Sequence, residues 1–446
     1  MLVTDLYELT MAAIYRRRGM EAAATFSLFV RTLPPDRGFL VAAGVDEAVG
    51  RLLAWQVTDA DTRWLATQLG TGEDTFAPLA GLCFTGEAWA VREGTVVLAG
   101  EPLLEITAPL PEAQVPESML LNAVTYQTAL ASKAVRCVLA ARGRPVVDFS
   151  LRRDHGLEAA TAAARAGALA GFAATSNVAA ARQLALAATG TMAHSYVQAT
   201  GDERAAFEAF AAAFPASPTF LVDTYDTAGG VRAAAAVIQA RGLAERAAVR
   251  LDSGDLAAEA RLARRLLDDA GLPAVRIVVS GGLDELAVDD LAARGAPVDV
   301  FAVGTRVGTA ADAPSLDSAY KLAQYHGRPV TKLSAGKGYP PGPKQVWRRP
   351  GAADVLTPRD DQGPPGARAL LEPVVRGGRR LRPAATLAQA HARLAEGLAW
   401  LPGEAKRVRD PVPAVCVTGE RLKRLHEEVR AGLRTASAPP AAVTPG

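Results

Sequence analysis

The stretches "VRIVVSGGLDE" (275–285) and "VDVFAVGTR" (298–306) repeat one local pattern, in which a short β-branched run meets glycine and then a helix-opening polar residue. Such alternation is the rhythm of a βα unit. Glycine lets backbone N–H groups approach a phosphate, and the N-terminus of the following helix adds a favourable dipole. A single Gly-Gly turn is most simply a tight turn. Two glycine turns in consecutive late units point to paired phosphate-binding loops, as at the mouth of a barrel.

Reading outward, the same rhythm runs back through "RPVVDFSLRRDHG" (144–156), "TSNVAAARQLALAATGTMAHS" (175–195), "TFLVDTYDTAGG" (219–230) and "AAVRLDSGD" (247–255). Strand starts fall roughly 20–30 residues apart, the length of a βα unit. The pattern predicts a parallel sheet, open or closed into a barrel. Unusual polar or aromatic residues sit just past the strand cores: Phe149 with Arg152, Ser176, His194, Asp223, Asp252, Ser280 with Gly281 and Gly282, and Gly304 with Thr305. A barrel brings all of these to one mouth. A doubly wound sheet, the alternative, gathers them at a switch point.

The flanks differ. Residues 1–125 mix strand-like pieces with Gly/Pro turns, and 126–330 hold the βα rhythm. Residues 331–434 are rich in Pro-Gly punctuation, with helices expected near 385–397 and 418–433, and 435–446 read as a disordered tail. A formal charge of +2 over 96 charged residues gives no electrostatic case for nucleic acid or an anionic membrane. Three scattered cysteines cannot form a bridge framework or a CxxC metal site. With acidic residues early in the N-terminus and no long apolar run, the expected compartment is the cytoplasm.

Several residues are candidates for chemistry, each with a bland reading beside it. Asp226 and Asp255 suit helix caps. Asp223 and Asp252 come too early to cap and can serve ribose hydroxyls, a Mg²⁺ shell or a histidine's second nitrogen. Phe149 and Arg152 read either as a core ring and a surface cation or as a ring platform with an anion-binding guanidinium, while His155 reads as a solvated loop residue. His194 is either a satisfied core histidine or, given the room left by Gly190, Thr191, Ala193 and Ser195, a nucleophilic imidazole. Lys332, Lys337, Lys344 and Arg348 form either a solvated loop or a polyanion-binding lid.

Nine segments occur in an order and spacing that resemble nicotinate phosphoribosyltransferases: "VTDLYELTMA", "DFSLRR", "GFAATSNV", "GTMAHSYVQA", "LVDTYDT", "VRLDSGD", "VVSGGLDE", "FAVGTR" and "KLSAGKGYPPGPKQVWR". The resemblance implies an α/β fold: an irregular (β/α) barrel of the type II phosphoribosyltransferase kind, plus an α/β sandwich domain formed by both chain ends. It implies a homodimer with active sites at the interface. The implied reaction joins nicotinate to phosphoribosyl pyrophosphate with Mg²⁺, coupled to ATP through a phosphohistidine at His194.

By the same resemblance, Phe149 stacks on the pyridine ring, with Tyr7 of the partner subunit over the other face, and Arg152 meets anionic groups. Asp223 orients His194 or the ribose, and Arg250 and Asp252 hold ribose, diphosphate and its Mg²⁺. Gly281, Gly282, Gly304 and Thr305 cradle the 5′-phosphate. Nicotinamide-using relatives carry an aspartate where this chain has Ser176, and a serine hydroxyl can donate to a carboxylate substrate that an aspartate would repel. Departures from the family pattern are Ser150, Asp154 and Ala174. The alternatives are a quinolinate-type enzyme without ATP coupling, a non-catalytic binding relative, or an aldolase-like barrel. The last needs a strand-end Schiff-base lysine, and no lysine lies between Lys133 and Lys321.

Overall fold

The computed structural model describes residues 2–334 and 338–436, so Lys337 and most of the expected tail lie outside the described residues. The chain divides into two compact units. One comprises Ala129–Pro314 with Lys406–Pro411, and the other combines the chain through Thr128, Ser315–Ala405 and the chain from Val412.

The first unit is built on six parallel strands, in spatial order Ala174–Thr175, Val146–Asp148, Val300–Val303, Arg276–Val279, Ala248–Leu251 and Thr219–Leu221. A helix follows most of them, and its start is fixed by an aspartate. Asp226, Asp255 and Asp284 each accept backbone N–H bonds at the N-terminus of the next helix, so the capping reading of the first two holds. The Leu256–Asp269 helix buries Ala257, Ala260, Ala263 and Leu267, a spacing that keeps one face on the sheet.

Strand periodicity places the site. Val147, Ala248, Val278 and Ala302 form a tight buried cluster of small side chains on one face. Two residues further along the same strands, on that same face, come Phe149, Arg250, Ser280 and Gly304. The predicted residues therefore form the layer directly above a packed floor.

The ring of strands is irregular at one seam. Beyond Thr175 the ladder gains one bridge to Ala188, with Thr175 N–H donating to Ala187 and Thr189 N–H donating to Thr175. Among the described residues no ladder then joins that segment to Thr219–Leu221. Side chains connect the two sides instead: Arg250 Nη1 donates to Thr191 Oγ1 (2.8 Å), and His194 Nδ1 lies 3.2 Å from Thr224 Oγ1.

The second unit carries a seven-stranded antiparallel sheet to which both chain ends contribute. Ala23–Val30 lies between Pro102–Pro109 and Ser318–Tyr325, with Glu87–Ala90 and Glu372–Arg376 further out. The expected helices are present as Leu387–Trp400 and Glu420–Ala436. The second of these includes Thr435, whose hydroxyl donates to Ala431, so the tail assignment fails at its first two residues because the helix simply continues through them.

The Pro-Gly-rich stretch also holds a four-stranded sheet of Lys344–Arg348, Asp354–Pro358, Arg368–Ala369 and Cys416–Thr418. Lys344 and Arg348 consequently belong neither to a solvated loop nor to a lid. Both are buried strand residues, Lys344 paired with Glu105 (3.1 Å) and Arg348 with Asp354 (2.5 Å) and the Val96 carbonyl (2.6 Å). Burial drives the Glu105 carboxyl upward, but the Lys344 and Arg359 cations and a backbone N–H outweigh it and hold the group below the usual carboxylate range.

Candidate active site

Arg250 organises the strand-end layer. Its Nε donates to Ser280 Oγ (2.8 Å), Nη1 to Thr191 Oγ1 (2.8 Å) and Nη2 to Asp252 Oδ1 (2.8 Å), while its guanidinium carbon lies 5.4 Å from the centroid of the Phe149 ring. Only a planar five-donor fork can span these partners at once. Ser280 Oγ also donates to Asp252 Oδ1 (2.5 Å). Burial alone would raise the Asp252 carboxyl, yet the Ser280 hydroxyl, Arg250 and His194 together hold it below the usual range, so it is a carboxylate at neutral pH.

His194 opens the short His194–Thr200 helix and is half-buried. Its Nδ1 lies 3.2 Å from Thr224 Oγ1, and Asp223, expected from the resemblance to orient His194 or the ribose, makes no hydrogen bond to the ring among the described residues. Asp223 Oδ2 instead accepts from Asp252 N–H (2.8 Å) and Ser253 Oγ (2.7 Å), clamping the turn after the 248–251 strand. Asp223 Oδ1 is buried without a partner. An orphaned carboxylate oxygen beside a second carboxylate fits a hard divalent cation. No group of three or more His, Cys, Asp or Glu forms a cage among the described residues, so a Mg²⁺ here would take its other ligands from a diphosphate and water, with Asp223 and Asp252 as the protein's contribution.

The glycine loops face the same mouth. Gly281 has φ +92°, and a Cβ there would lie 2.1 Å from the Asp252 carbonyl oxygen. A Cβ at Gly304 would lie 2.9 Å from the Phe149 carbonyl oxygen. Gly282 has φ +68° but open space around it, and Thr305 is exposed at the start of the next helical turn. Arg306 Nη1 donates to Asp284 Oδ2 (2.7 Å), bracing one loop against the other.

On the opposite side of the layer, Asp148 ties two strand ends together by accepting from Ser150 N–H (2.9 Å) and Thr175 Oγ1 (2.7 Å). Thr175 Oγ1 accepts from Asn177 N–H, and Asn177 caps the Val178–Leu184 helix, so Ser176 is fixed on both sides. The Ser176 hydroxyl itself has no partner among the described residues and remains available to a ligand. Arg152 is exposed on the Leu151–Arg153 turn and likewise unpaired among the described residues.

Two of the departures from the family pattern form one pair, since Ser150 Oγ donates to Asp154 Oδ2 (2.9 Å). Gly308 leaves room for it, a Cβ there falling 1.8 Å from Asp154 Oδ1. Burial, reinforced by Asp148 and opposed by the Ser150 hydrogen bond, raises the Asp154 carboxyl. Tyr7 stands on the Leu6–Arg17 helix of the other unit, with about half of its surface (49 %) exposed.

Sequence reasoning missed Thr224, Ser253, Arg306 and Asp148. All four are chain neighbours of chosen residues, but their bonds reach partners 22 or more residues away, which adjacency in sequence does not reveal.

A floor of small side chains with carboxylates, a braced guanidinium and two glycine loops above it suits a phosphate-bearing anionic substrate, and this defines the chain as an α/β-barrel enzyme of phosphorylated metabolites. Comparison with known proteins narrows that class. The nicotinate phosphoribosyltransferase (NAPRTase) N-terminal domain matches residues 2–125, and the nicotinate phosphoribosyltransferase (NAPRTase) family matches residues 145–337.

A nicotinate phosphoribosyltransferase of Mycobacterium tuberculosis is 46% identical over 419 residues, covering 92% of this chain and 89% of that protein. The nicotinate phosphoribosyltransferase of Bacillus subtilis is 41% identical over 358 residues, covering 78% and 72%. The crystal structure of human nicotinic acid phosphoribosyltransferase superposes with a TM-score of 0.83 at 29% identity, covering 96% of this chain and all (100%) of that one. A nicotinate-nucleotide pyrophosphorylase structure from Pyrococcus furiosus superposes with a TM-score of 0.75 at 25% identity, covering 88% and 94%. The chain belongs to the nicotinate phosphoribosyltransferase family.

Proposed function

We propose that this chain joins nicotinate to phosphoribosyl pyrophosphate, giving nicotinate mononucleotide and pyrophosphate in NAD salvage, as an ATP-coupled ligase that uses ATP and water and releases ADP and phosphate. The reading is carried by one observation: an unpaired donor hydroxyl at Ser176 and an unpaired cation at Arg152 belong to the strand ends that also carry Phe149 and Arg250. Both donors suit a pyridine carboxylate, and the neutral Ser176 hydroxyl lacks the charge by which an aspartate in its place would repel that carboxylate.

Phe149 offers a ring platform for the pyridine, and Arg250 stabilises anionic groups above it. The glycine loops at Gly281, Gly282, Gly304 and Thr305 hold the 5′-phosphate. Asp223 and Asp252 face the ribose and diphosphate. When bound, Mg²⁺ neutralises the leaving diphosphate as the ribose becomes oxocarbenium-like. The protein's own part is positioning and charge placement. His194 takes a phosphoryl group from ATP, and that added charge tightens the site around its cationic partners. The active form is a cytoplasmic homodimer in which Tyr7 of the partner subunit covers the pyridine. No helix among the described residues is long and apolar enough to cross a membrane.

The test incubates the purified protein with phosphoribosyl pyrophosphate, Mg²⁺ and one of nicotinate, nicotinamide or quinolinate, with and without ATP, and separates the nucleotides by chromatography. Nicotinate should be consumed, and faster with ATP. Rapid quinolinate turnover indifferent to ATP would favour the quinolinate-type enzyme, and no nicotinate mononucleotide in either arm would reject the proposal.

A further inference from the structure

We propose that Asp154 is a positioning residue for phosphoribosyl pyrophosphate: tied to Ser150, its carboxyl is a strut between the turn that carries Phe149 and Arg152 and the turn that carries Gly304 and Thr305. The inference rests on the assignment of Gly304 and Thr305 to the 5′-phosphate made above. Ser150 is buried, and its Oγ donates to Asp154 Oδ2 (2.9 Å). The other oxygen, Oδ1, lies against Gly308, the last residue of the Thr305–Gly308 turn. A Cβ at Gly308 would fall 1.8 Å from Asp154 Oδ1 and 2.7 Å from Ser150 Cβ, so the pair fills the space that any other residue at 308 would take. The two turns approach again at Gly304, where a Cβ would lie 2.9 Å from the Phe149 carbonyl oxygen.

The two turns are not equally anchored. The first is fixed to its own sheet: Phe149 N–H donates to the Val303 carbonyl (2.7 Å), Ser150 N–H to Asp148 Oδ1 (2.9 Å) and Arg153 N–H to the Ser150 carbonyl (2.7 Å). The second closes mainly on itself, with Val307 and Gly308 N–H both donating to the Gly304 carbonyl (3.0 Å each). Its braces from outside come from two sides. Arg306 reaches Asp284 of the first glycine loop (2.7 Å), and Asp154 supports it from beneath. Removing the strut therefore frees the phosphate turn and leaves the nicotinate side in place.

Holding a carboxyl here has a cost. Asp154 Oδ1 is buried without a hydrogen-bond partner, and such an oxygen is desolvated with nothing in return. Burial raises the carboxyl, against the Ser150 hydrogen bond and with the help of Asp148. Asp154 thus weakens the fold locally while filling the gap between the two turns. A merely structural residue would act the other way.

The experiment measures steady-state KM for each substrate with full-length Asp154→Ala, Ser150→Ala, the double variant and the isosteric Asp154→Asn, with thermal melts to check folding. Asp154→Ala and Ser150→Ala should each raise the KM for phosphoribosyl pyrophosphate about fivefold, the effect of losing one hydrogen bond, with kcat and the KM for nicotinate within twofold of wild type. The double variant should be no worse than either single one, because both cut the same strut. Asp154→Asn keeps the shape and the bond to Ser150 and should stay within twofold of wild type. An unchanged KM for phosphoribosyl pyrophosphate in both alanine variants, effects that fall on nicotinate or kcat, or effects that multiply in the double variant would overturn the proposal. Amide hydrogen exchange without substrate reads the strut independently of turnover. The amides of Val307 and Gly308 should exchange faster in Asp154→Ala, and unchanged exchange would overturn the strut. A wild type that makes no nicotinate mononucleotide would instead reject the proposed function, while the exchange result stands on its own.

Discussion

Arg250 shows how much of the site depends on one side chain. Its fork joins Thr191, Ser280 and Asp252 across the irregular seam and lies over Phe149, so a lysine keeps the charge and loses the geometry. Arg250→Lys should raise the KM for phosphoribosyl pyrophosphate by about tenfold or more in steady-state assays. Arg250→Ala, which strands Asp252, should lower unfolding free energy by about 3 kcal/mol in urea titrations. The Ser150–Asp154 pair makes a second residue-scale case. Because the native carboxyl of Asp154 is raised, its stability contribution is fully present below the unfolded pKa and is lost as pH rises through the folded one. Asp154→Asn, which cannot ionise, should therefore gain stability relative to wild type more at pH 7 than at pH 3, as compared by thermal melts. A difference that shrinks with rising pH would contradict the burial argument. The pairing of Ser150 with Asp154 was not visible in sequence, although both stood out as departures from the family pattern.

At the scale of elements, the two glycines of the first loop do different jobs. Gly281 combines φ +92° with a carbonyl oxygen 2.1 Å from a would-be Cβ, whereas Gly282 has φ +68° in open space. Gly281→Ala should displace the loop and weaken phosphoribosyl pyrophosphate binding by about tenfold or more. Gly282→Ala should cost only about 1–2 kcal/mol of stability from the left-handed backbone. Binding by calorimetry and urea melts distinguish the two. These loops, and the strand ends around them, were legible because each is signalled within about ten residues by a β-branched run, a turn and a cap. The Lys344–Arg348 strand was not legible. Its Pro-Gly surroundings read as turns, and the acid that buries Lys344, Glu105, lies 239 residues earlier. Charged residues so deeply inside look from sequence like surface ones until the partner is known. His194 falls between these cases: its accessibility followed from small neighbours, but its partner Thr224 waits 30 residues downstream across a seam that no backbone ladder marks.

For the whole molecule, the unit built from both chain ends carries Tyr7 on an exposed helical face together with Leu6 and Ile14, an apolar stripe that suits burial by a second copy. If each active site takes Tyr7 from the partner subunit, two defective proteins should repair each other. Tyr7→Ala and His194→Ala, each impaired alone, should on subunit exchange regain about a quarter of wild-type activity, since half of random dimers are mixed and each holds one intact site. No recovery, with exchange verified by native mass spectrometry, would place Tyr7 outside the site. The most direct test of the central claim is the initial rate of nicotinate mononucleotide formation, with and without ATP, in wild type and His194→Ala. The phosphoryl-coupled site predicts that ATP accelerates the wild type while His194→Ala turns over at one slow rate whether ATP is present or not; undiminished ATP stimulation in His194→Ala would contradict it.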